Sequence, residues 1–471
     1  MSNKFHRSLN LYDATMLVAG SMIGSGIFIV SADIARTVGS SGYLMLVWIL
    51  GGLMTMIAAI SYGELAAMYP NVGGQYVYLK KAYGPMIAFL FGWSYFGVIE
   101  SGVIAAVGVA FAKFTAVFFP VFSEKSMLLE IGSFHISGAQ LLGMAMIIIL
   151  TFNNIQGLKN GKWIQLIFTS TKIIALVGIV IMGFLFYDSG VHSLNYENMF
   201  QGYSKNTNGD ILGLAGYGLV IAIGTSMVGS LFSSDAWNNV TFIAGEIKEP
   251  QRNVPLSLFL GTLIVSTLYI LTNHTFLNVL SLDEIRNSEM DRVGVTAMTK
   301  MVGESGTYIM AALIMISTFG CNNGLILAGA RLYFTMAKDK LFFAKAGTLN
   351  KNGVPEYALI AQCVWSCILC LTGSYGALLD YTIFAALIFY IFTIAAIFIL
   401  RKKEPNIPRP YKAFGYPIVP MIYIIGAFII AMILLVYKWE NTRWGLLIVC
   451  LGIPVYYILK KNNQEMETQI D

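Results

Sequence analysis

Three kinds of residue in this chain stand where they can do chemistry. The first is a pair of glycines around a serine, in Ser21-Met22-Ile23-Gly24-Ser25-Gly26-Ile27-Phe28, interrupting an apolar run. Glycine costs up to ~1 kcal/mol relative to alanine inside a helix, so this stretch favours local unwinding. Unwinding frees N–H groups at the start of one half-helix and C=O groups at the end of the other. The N–H end suits a carboxylate, and the C=O end suits an ammonium or a metal cation. A ligand bearing both, an α-amino acid, matches two such breaks lying side by side. Close helix packing through small residues, as in the Gly20/Gly24 pair, is the other explanation of the same glycines. A similar word, Ser226-Met227-Val228-Gly229-Ser230-Leu231-Phe232, returns 205 residues later in another long apolar run.

The second kind is the ionisable side chain inside an apolar run. Lys172 is one, and a lysine at a helix centre costs roughly 2.5–3.5 kcal/mol on insertion, so it needs partners. Glu100 and Asp235 are the others. Each carboxyl fits selection of a cationic side chain or carriage of a proton, while Asp235 also fits capping of a half-helix after a break. Glu64 and Glu246 lie near span ends, close to lysines and arginines, and read as interfacial salt bridges.

Cysteine is the third kind. Cys363, Cys367 and Cys370 share a helical face, but with no His, Asp or Glu among them they read as packing. His6, His135, His192 and His274 are scattered and form no metal or catalytic set. No metal and no cofactor is expected. The absence of a nucleophile or paired acid–base set argues against an intramembrane enzyme. The absence of a G-x-x-x-x-G-K-[ST] loop argues against ATP-driven transport within this chain.

Membrane spans are the elements that must position these residues. Of 471 residues 56% are hydrophobic and 12% charged, against roughly 25% charged in soluble chains, and the mean hydropathy is +0.69. Lipid must solvate much of such a chain. Spans of about 20 apolar residues are predicted near 11–38, 42–68, 86–118, 137–155, 163–187, 211–242, 255–279, 307–335, 356–372, 376–400, 416–437 and 443–460. These twelve must be helices, because backbone groups cannot stay unpaired in lipid. Lys4 and Arg7 precede the first, which runs too far for a cleaved signal peptide and reads as a retained span. With the N-terminus in the cytoplasm, twenty Lys/Arg fall inside and seven outside, which predicts a cell-membrane protein with both termini cytoplasmic. The excess of 30 Lys+Arg over 25 Asp+Glu is thus a topology signal, not one for nucleic acid. Span 1 then runs outward and span 6 inward, the relation expected of an inverted five-plus-five repeat. The expected organisation is all-α: one transmembrane domain over 1–471, repeats at about 8–188 and 208–400, and helices 11 and 12 at about 416–460.

Four segments, "IGSGIF" (23–28), "YGELAAMYPNVGGQYVYLKKAYGP" (62–85), "DAWNNVTFIAGEIKEPQRNVP" (235–255) and "ARLYFTMAKDK" (330–340), resemble the amino acid–polyamine–organocation superfamily, in particular its L-type amino acid transporter branch. The resemblance spans roughly residues 8 to 460. It implies a LeuT-like inverted-repeat fold of twelve helices, discontinuous in helices 1 and 6, and transport of amino acids, commonly by exchange. It implies that the N–H groups of Ser25 and Gly26 hold the substrate carboxylate, with Ile23 and Gly24 lining the same break. Phe232 aligns with an aromatic gate, and the carbonyls of Phe232 and Ser233, with Asp235, would take the amino group. The working break of helix 6 would then start at Phe232, beyond the repeated word. Lys172 matches a lysine that replaces sodium, bonding carbonyls near Gly20 and Ser21 and groups around Cys321 to Asn323; the family often has a hydroxyl near Cys321. Glu100 would tune side-chain choice.

Sodium-independent exchange of neutral L-amino acids is therefore the expected function. A proton-coupled symporter, or a carrier accepting cationic amino acids, is the alternative; a channel would lack the paired breaks, and a nutrient sensor would keep the fold without moving substrate. Amino acids and membrane lipid are the expected partners. Relatives that attach a single-span partner through a cysteine carry it in the loop between spans 3 and 4. That loop, about 119–136, has no cysteine here, so no disulfide-linked heavy chain is expected.

Overall fold

The computed structural model describes residues 7–131, 134–157, 161–205, 211–372 and 375–468, almost all of them helical. Lys4 and His6 lie outside these residues. Among the described residues ten helices are long and apolar enough to cross a bilayer, or eleven when one bent pair counts as a single span. That pair is α1 (Leu11–Met22) and α2 (Gly26–Val38), bent by 43°. It is followed by α3 (Ser41–Met68), a short α4 (Gly74–Tyr83), α5 (Pro85–Thr115), α6 (Gly138–Ile155), α7 (Gly161–Leu185) and α8 (Ser189–Tyr196). The second half comprises α9 (Gly216–Ser233), a single turn α10 (Asn239–Phe242), α11 (Pro250–Val279), α12 (Leu282–Arg286), α13 (Val293–Val302) and α14 (Glu304–Lys338). It closes with α15 (Glu356–Thr372), α16 (Tyr375–Lys403), α17 (Ile418–Tyr437) and α18 (Trp439–Thr468).

Every expected span thus has a helix, although α15, at 17 residues, is shorter than a full crossing. Two antiparallel hairpins, Met127–Ile131 with Phe134–Ser137 and Tyr203–Lys205 with Ile211–Gly213, and the short helices α4, α8, α12 and α13 fill the connections.

Burial sorts the helices. Within its most apolar window α5 is 89% buried against 22% for α18, so α5 runs through the centre and α18 lies at the edge. α5 packs against α14, α6 and α16, while α3 lies along α11, α1 on α11 and α7, and α2 along α9. The outward faces of α6 (Ile148, Ile149, Phe152) and α17 (Ile422, Phe428, Ile429) are exposed apolar surface, as lipid-facing helices require.

Ion pairs and short pairings close the end of the bundle that carries the N-terminal segment. Ser8 and Leu9 donate backbone N–H groups to Glu246 O at 2.9 and 3.1 Å, and Lys248 N–H returns to Leu9 O at 2.8 Å. Arg331 on α14 pairs with the Glu246 carboxylate at 3.1 Å, and Lys80 pairs with Asp339 at 2.7 Å. Glu64 is more than an interfacial residue. It is fully buried, takes Arg401 through two bonds of 2.9 and 2.6 Å, and accepts Ala413 N–H at 2.7 Å, so α3 is tied to both sides of the turn between α16 and α17. Removing one partner of a buried pair leaves an uncompensated charge, worth roughly 3–5 kcal/mol. Glu64→Gln is therefore expected to lower the melting temperature of the detergent-solubilised protein by several degrees, measured by a thiol-independent thermal-shift assay; an unchanged midpoint would show that the pair carries no stability.

Candidate substrate site

The last carbonyls of any helix lack intrahelical partners. α1 stops at Met22 because Ile23 takes an extended backbone (φ −74°, ψ 99°), and α2 restarts at Gly26. Three other helices supply donors to this buried turn. Lys172 Nζ of α7 donates to Gly20 O at 2.7 Å, the Cys321 thiol of α14 to Ser21 O at 3.4 Å, and the Tyr269 hydroxyl of α11 to Met22 O at 3.0 Å. Ser317, also on α14, donates to Gly24 O at 3.5 Å. Gly24 itself is hemmed in: a Cβ there would lie 3.3 Å from Cys321 Sγ.

α9 is interrupted as well. It stops at Ser233, Ser234 N–H folds back to Ser230 O, and Asp235 N–H folds back to Phe232 O, each at 3.1 Å. Ala236 follows with φ 63°, a left-handed conformation costing a non-glycine residue ~1 kcal/mol or more. The repeated word at 226–232 lies in unbroken helix, so the interruption falls just beyond it. The two breaks touch. A Cβ on Gly26 would stand 2.9 Å from Ser233 Cβ, so only hydrogen fits there. The Tyr269 hydroxyl also reaches Ser233 O at 3.0 Å, sharing its one proton between the ends of α1 and α9.

The N–H groups of Ser25 and Gly26 open α2 and have no partner within it. The Ser25 hydroxyl lies 3.5 Å from that of Tyr375 at the start of α16, and the Phe232 ring meets Tyr375 edge-on with centroids 6.0 Å apart. Ile23, Gly24, Ser25, Gly26, Phe232, Ser233 and Lys172 are thereby brought together. Lys172 is 1% exposed and bonds Gly20, while Cys321 takes Ser21.

Asp235 sits behind the second break, where the Tyr390 hydroxyl donates to it at 2.5 Å. It is not the cap of α10, a position held by Asn238. Beside Asp235, with Thr55, Trp237 and Tyr390 in its wall, is a cavity of about 20 Å³. That is space for about one water, far short of an amino acid. Glu100, 3% exposed, follows a π-turn at Tyr95–Ile99 and packs against Gly329 of α14 and Gln362 of α15 instead of joining the break residues. Its Oε1 has no hydrogen-bond partner among the described residues. Tyr269, Tyr375 and Tyr390 were not anticipated, since each is one tyrosine among 25 in apolar sequence. Among the described residues no group of three His, Cys, Asp or Glu is placed to hold a metal.

Two interrupted helices thus meet, with unpaired N–H groups at the start of α2 and side chains capping the carbonyls at the end of α1, and residues 9–456 match the amino acid permease family. The chain belongs to that family. This amino acid permease is 28% identical to the serine/threonine exchanger SteT of Bacillus subtilis over 462 residues, covering 98% of both chains. It is 28% identical to the human large neutral amino acids transporter small subunit 2, over 96% of this chain and 80% of that protein. It is also 25% identical to the human b(0,+)-type amino acid transporter 1, over 97% of this chain and 88% of that protein. The permease is thus a multi-pass membrane transporter of the amino acid–polyamine–organocation superfamily, within its L-type branch, and not an enzyme.

Tyr269→Phe removes the one hydroxyl that, among the described residues, reaches both breaks. Leaving buried acceptors short of a donor costs ~1–3 kcal/mol, so amino-acid exchange in proteoliposomes should fall about tenfold or more at unchanged yield of folded protein. Exchange at the wild-type rate would show that the hydroxyl does not hold the site.

Proposed function

We propose that this permease is a sodium-independent exchanger of neutral L-amino acids working by alternating access about its two breaks. The observation that carries the reading is the contact of the breaks at Gly26 and Ser233 under one tyrosine hydroxyl. The N–H groups of Ser25 and Gly26 hold the substrate carboxylate. Its ammonium meets carbonyls of Phe232 and Ser233, whose second lone pairs remain available beside their present donors, and Asp235 supports that end. Phe232 closes over the substrate. Ile23 and Gly24 line the cradle, and Gly24 keeps α1 close to α14.

Lys172 holds the last turn of α1 with a donor that belongs to the chain itself, in the place a sodium ion would otherwise take, and this supports sodium independence. The names of the relatives, a serine/threonine exchanger and a large neutral amino acids transporter, support neutral substrates and exchange. The proposed organisation is a LeuT-like single domain with inverted repeats at about 8–188 and 208–400, helices 11 and 12 outside them, and both termini in the cytoplasm. The cysteine-free loop at 119–136 supports a carrier that works without a disulfide-linked heavy chain.

A second reading, a carrier of cationic amino acids or one coupled to protons, draws on the buried carboxyl groups of Asp235 and Glu100. Glu100 acts there as a selectivity residue.

Liposomes preloaded with unlabelled serine test these readings against each other. Labelled alanine, serine or leucine should enter preloaded liposomes at least about tenfold faster than empty ones, as obligate exchange requires, with no change when choline replaces sodium. Stimulation by sodium would remove the role given to Lys172. Entry of arginine equal to that of alanine, or uptake driven by a pH gradient without preload, would favour the second reading, and no amino-acid flux at all would remove both.

A further inference from the structure

Lys113 has no part in the cradle and is one of the more costly residues in the chain. It lies in the last turn of α5, 5% exposed, at the end of the bundle opposite the N-terminal segment. A buried ammonium has to be compensated. Two groups do so. Glu124, in the connection between α5 and α6, pairs with it at 3.3 Å, and the ring of Tyr375 lies beneath its Nζ at 5.3 Å from the centroid, within cation–π range. The same Tyr375 reaches Ser25 through its hydroxyl and packs edge-on against Phe232. A continuous chain of contacts therefore runs from a connecting loop, through an ion pair and an aromatic ring, to the residue that opens α2.

We propose that the Lys113–Glu124 pair is a latch that holds Tyr375 as a lid over the substrate carboxylate, so that Lys113 and Glu124 are positioning residues for transport. The inference rests on the reading of Ser25 and Gly26 as the carboxylate cradle. The loop is built to hold the anion in place. Gly138 N–H at the start of α6 bonds Ser126 O at 2.8 Å, the Ser123 hydroxyl accepts Lys125 N–H at 3.1 Å, and Arg292 donates to Lys113 O at 3.4 Å. Glu124 presents one oxygen to Lys113 while the other, Oε1, is buried with no partner among the described residues. The pair is thus a contact that closure makes and opening breaks: when Tyr375 swings off Ser25, Lys113 loses its ring, and Glu124 is free to rehydrate.

A latch of this kind acts on a population. Substrate binds tightly only where the lid is shut, so weakening the pair lowers the shut fraction and raises the apparent dissociation constant by the same factor. Nothing in the cradle changes, and the maximal exchange rate is not reduced.

Steady-state exchange in proteoliposomes tests this with Glu124→Gln, which keeps the side chain's shape in a loop outside the core, and with Lys113→Met. Each single substitution should raise the half-saturating serine concentration about five- to tenfold, with the maximal rate at or above wild type. The double variant should be no worse than either single one, because the pair is a unit, and Glu124→Asp should restore most of the loss. An unchanged half-saturating concentration in Glu124→Gln, or single effects that multiply in the double variant, would overturn the latch. Should Lys113→Met fail to reach the membrane, Glu124→Gln and Glu124→Asp decide alone. Wild-type protein that shows no amino-acid exchange would remove the cradle, whereas wild-type exchange with both variants unmoved removes only the latch.

Discussion

The last turn of α1 ends in the middle of the bundle, and its carbonyls must find donors that are not their own helix. In water such groups would be hydrated; inside a packed helical bundle each one left bare is costly. The permease assigns the task to side chains: Lys172 to Gly20, Cys321 to Ser21, Tyr269 to Met22, and Ser317 to Gly24. These donors sit on α7, α11 and α14, so a local interruption of one helix fixes the mutual placement of four. The first consequence is structural. α1 cannot shift along its axis without surrendering several bonds together, and the free N–H groups at the start of α2 are held at a fixed height.

The second consequence concerns motion. Tyr269 bonds the ends of both α1 and α9, and Gly26 abuts Ser233, so the two interrupted helices behave as a single unit at that level. Contacts above and below it are of another kind. At the N-terminal end they are ion pairs and three backbone hydrogen bonds around Glu246, and at the far end an ion pair, a cation–π contact and an edge-on ring pair around Tyr375. Those around Glu246 are part-exposed, individually modest and rehydrate when broken. A rigid waist between two ends closed by weaker bonds is what exposure of one site to alternate sides calls for.

Charge and glycine made much of this legible in the sequence. A Gly-Ser-Gly in a long apolar run is hard to reconcile with continuous helix, and the chain does break between Met22 and Gly26. Lys172, costly in lipid, had to have acceptors, and the carbonyl of Gly20 is among those anticipated. The second break was less legible, because Ser-Met-Val-Gly-Ser has the same small residues yet stays helical; with one glycine in place of two, intrahelical bonding survives until Ser233. Tyr269 was invisible, since its partners are 247 and 36 residues away and nothing in local periodicity encodes such distances. The capping role open to Asp235 is not taken up for a related reason: the turn after Ser233 takes a left-handed residue at Ala236, which delays the next helix to Asn239. Glu64 looked interfacial by position, and only the fold of the turn after α16 reveals that Arg401 and Ala413 enclose it.

The α7 lysine that caps the end of α1 also bears on what the carrier can accomplish for a cell. A cation that is part of the polypeptide cannot be exchanged for one that falls down a gradient, so on the proposed reading the turn it secures draws no energy from the salts on either side. Under the obligate exchange proposed above, every inward passage is matched by an outward one, and the total quantity of amino acid enclosed by the membrane stays constant while its composition changes. A protein of this design sets the mixture of a pool and leaves the size of that pool to others.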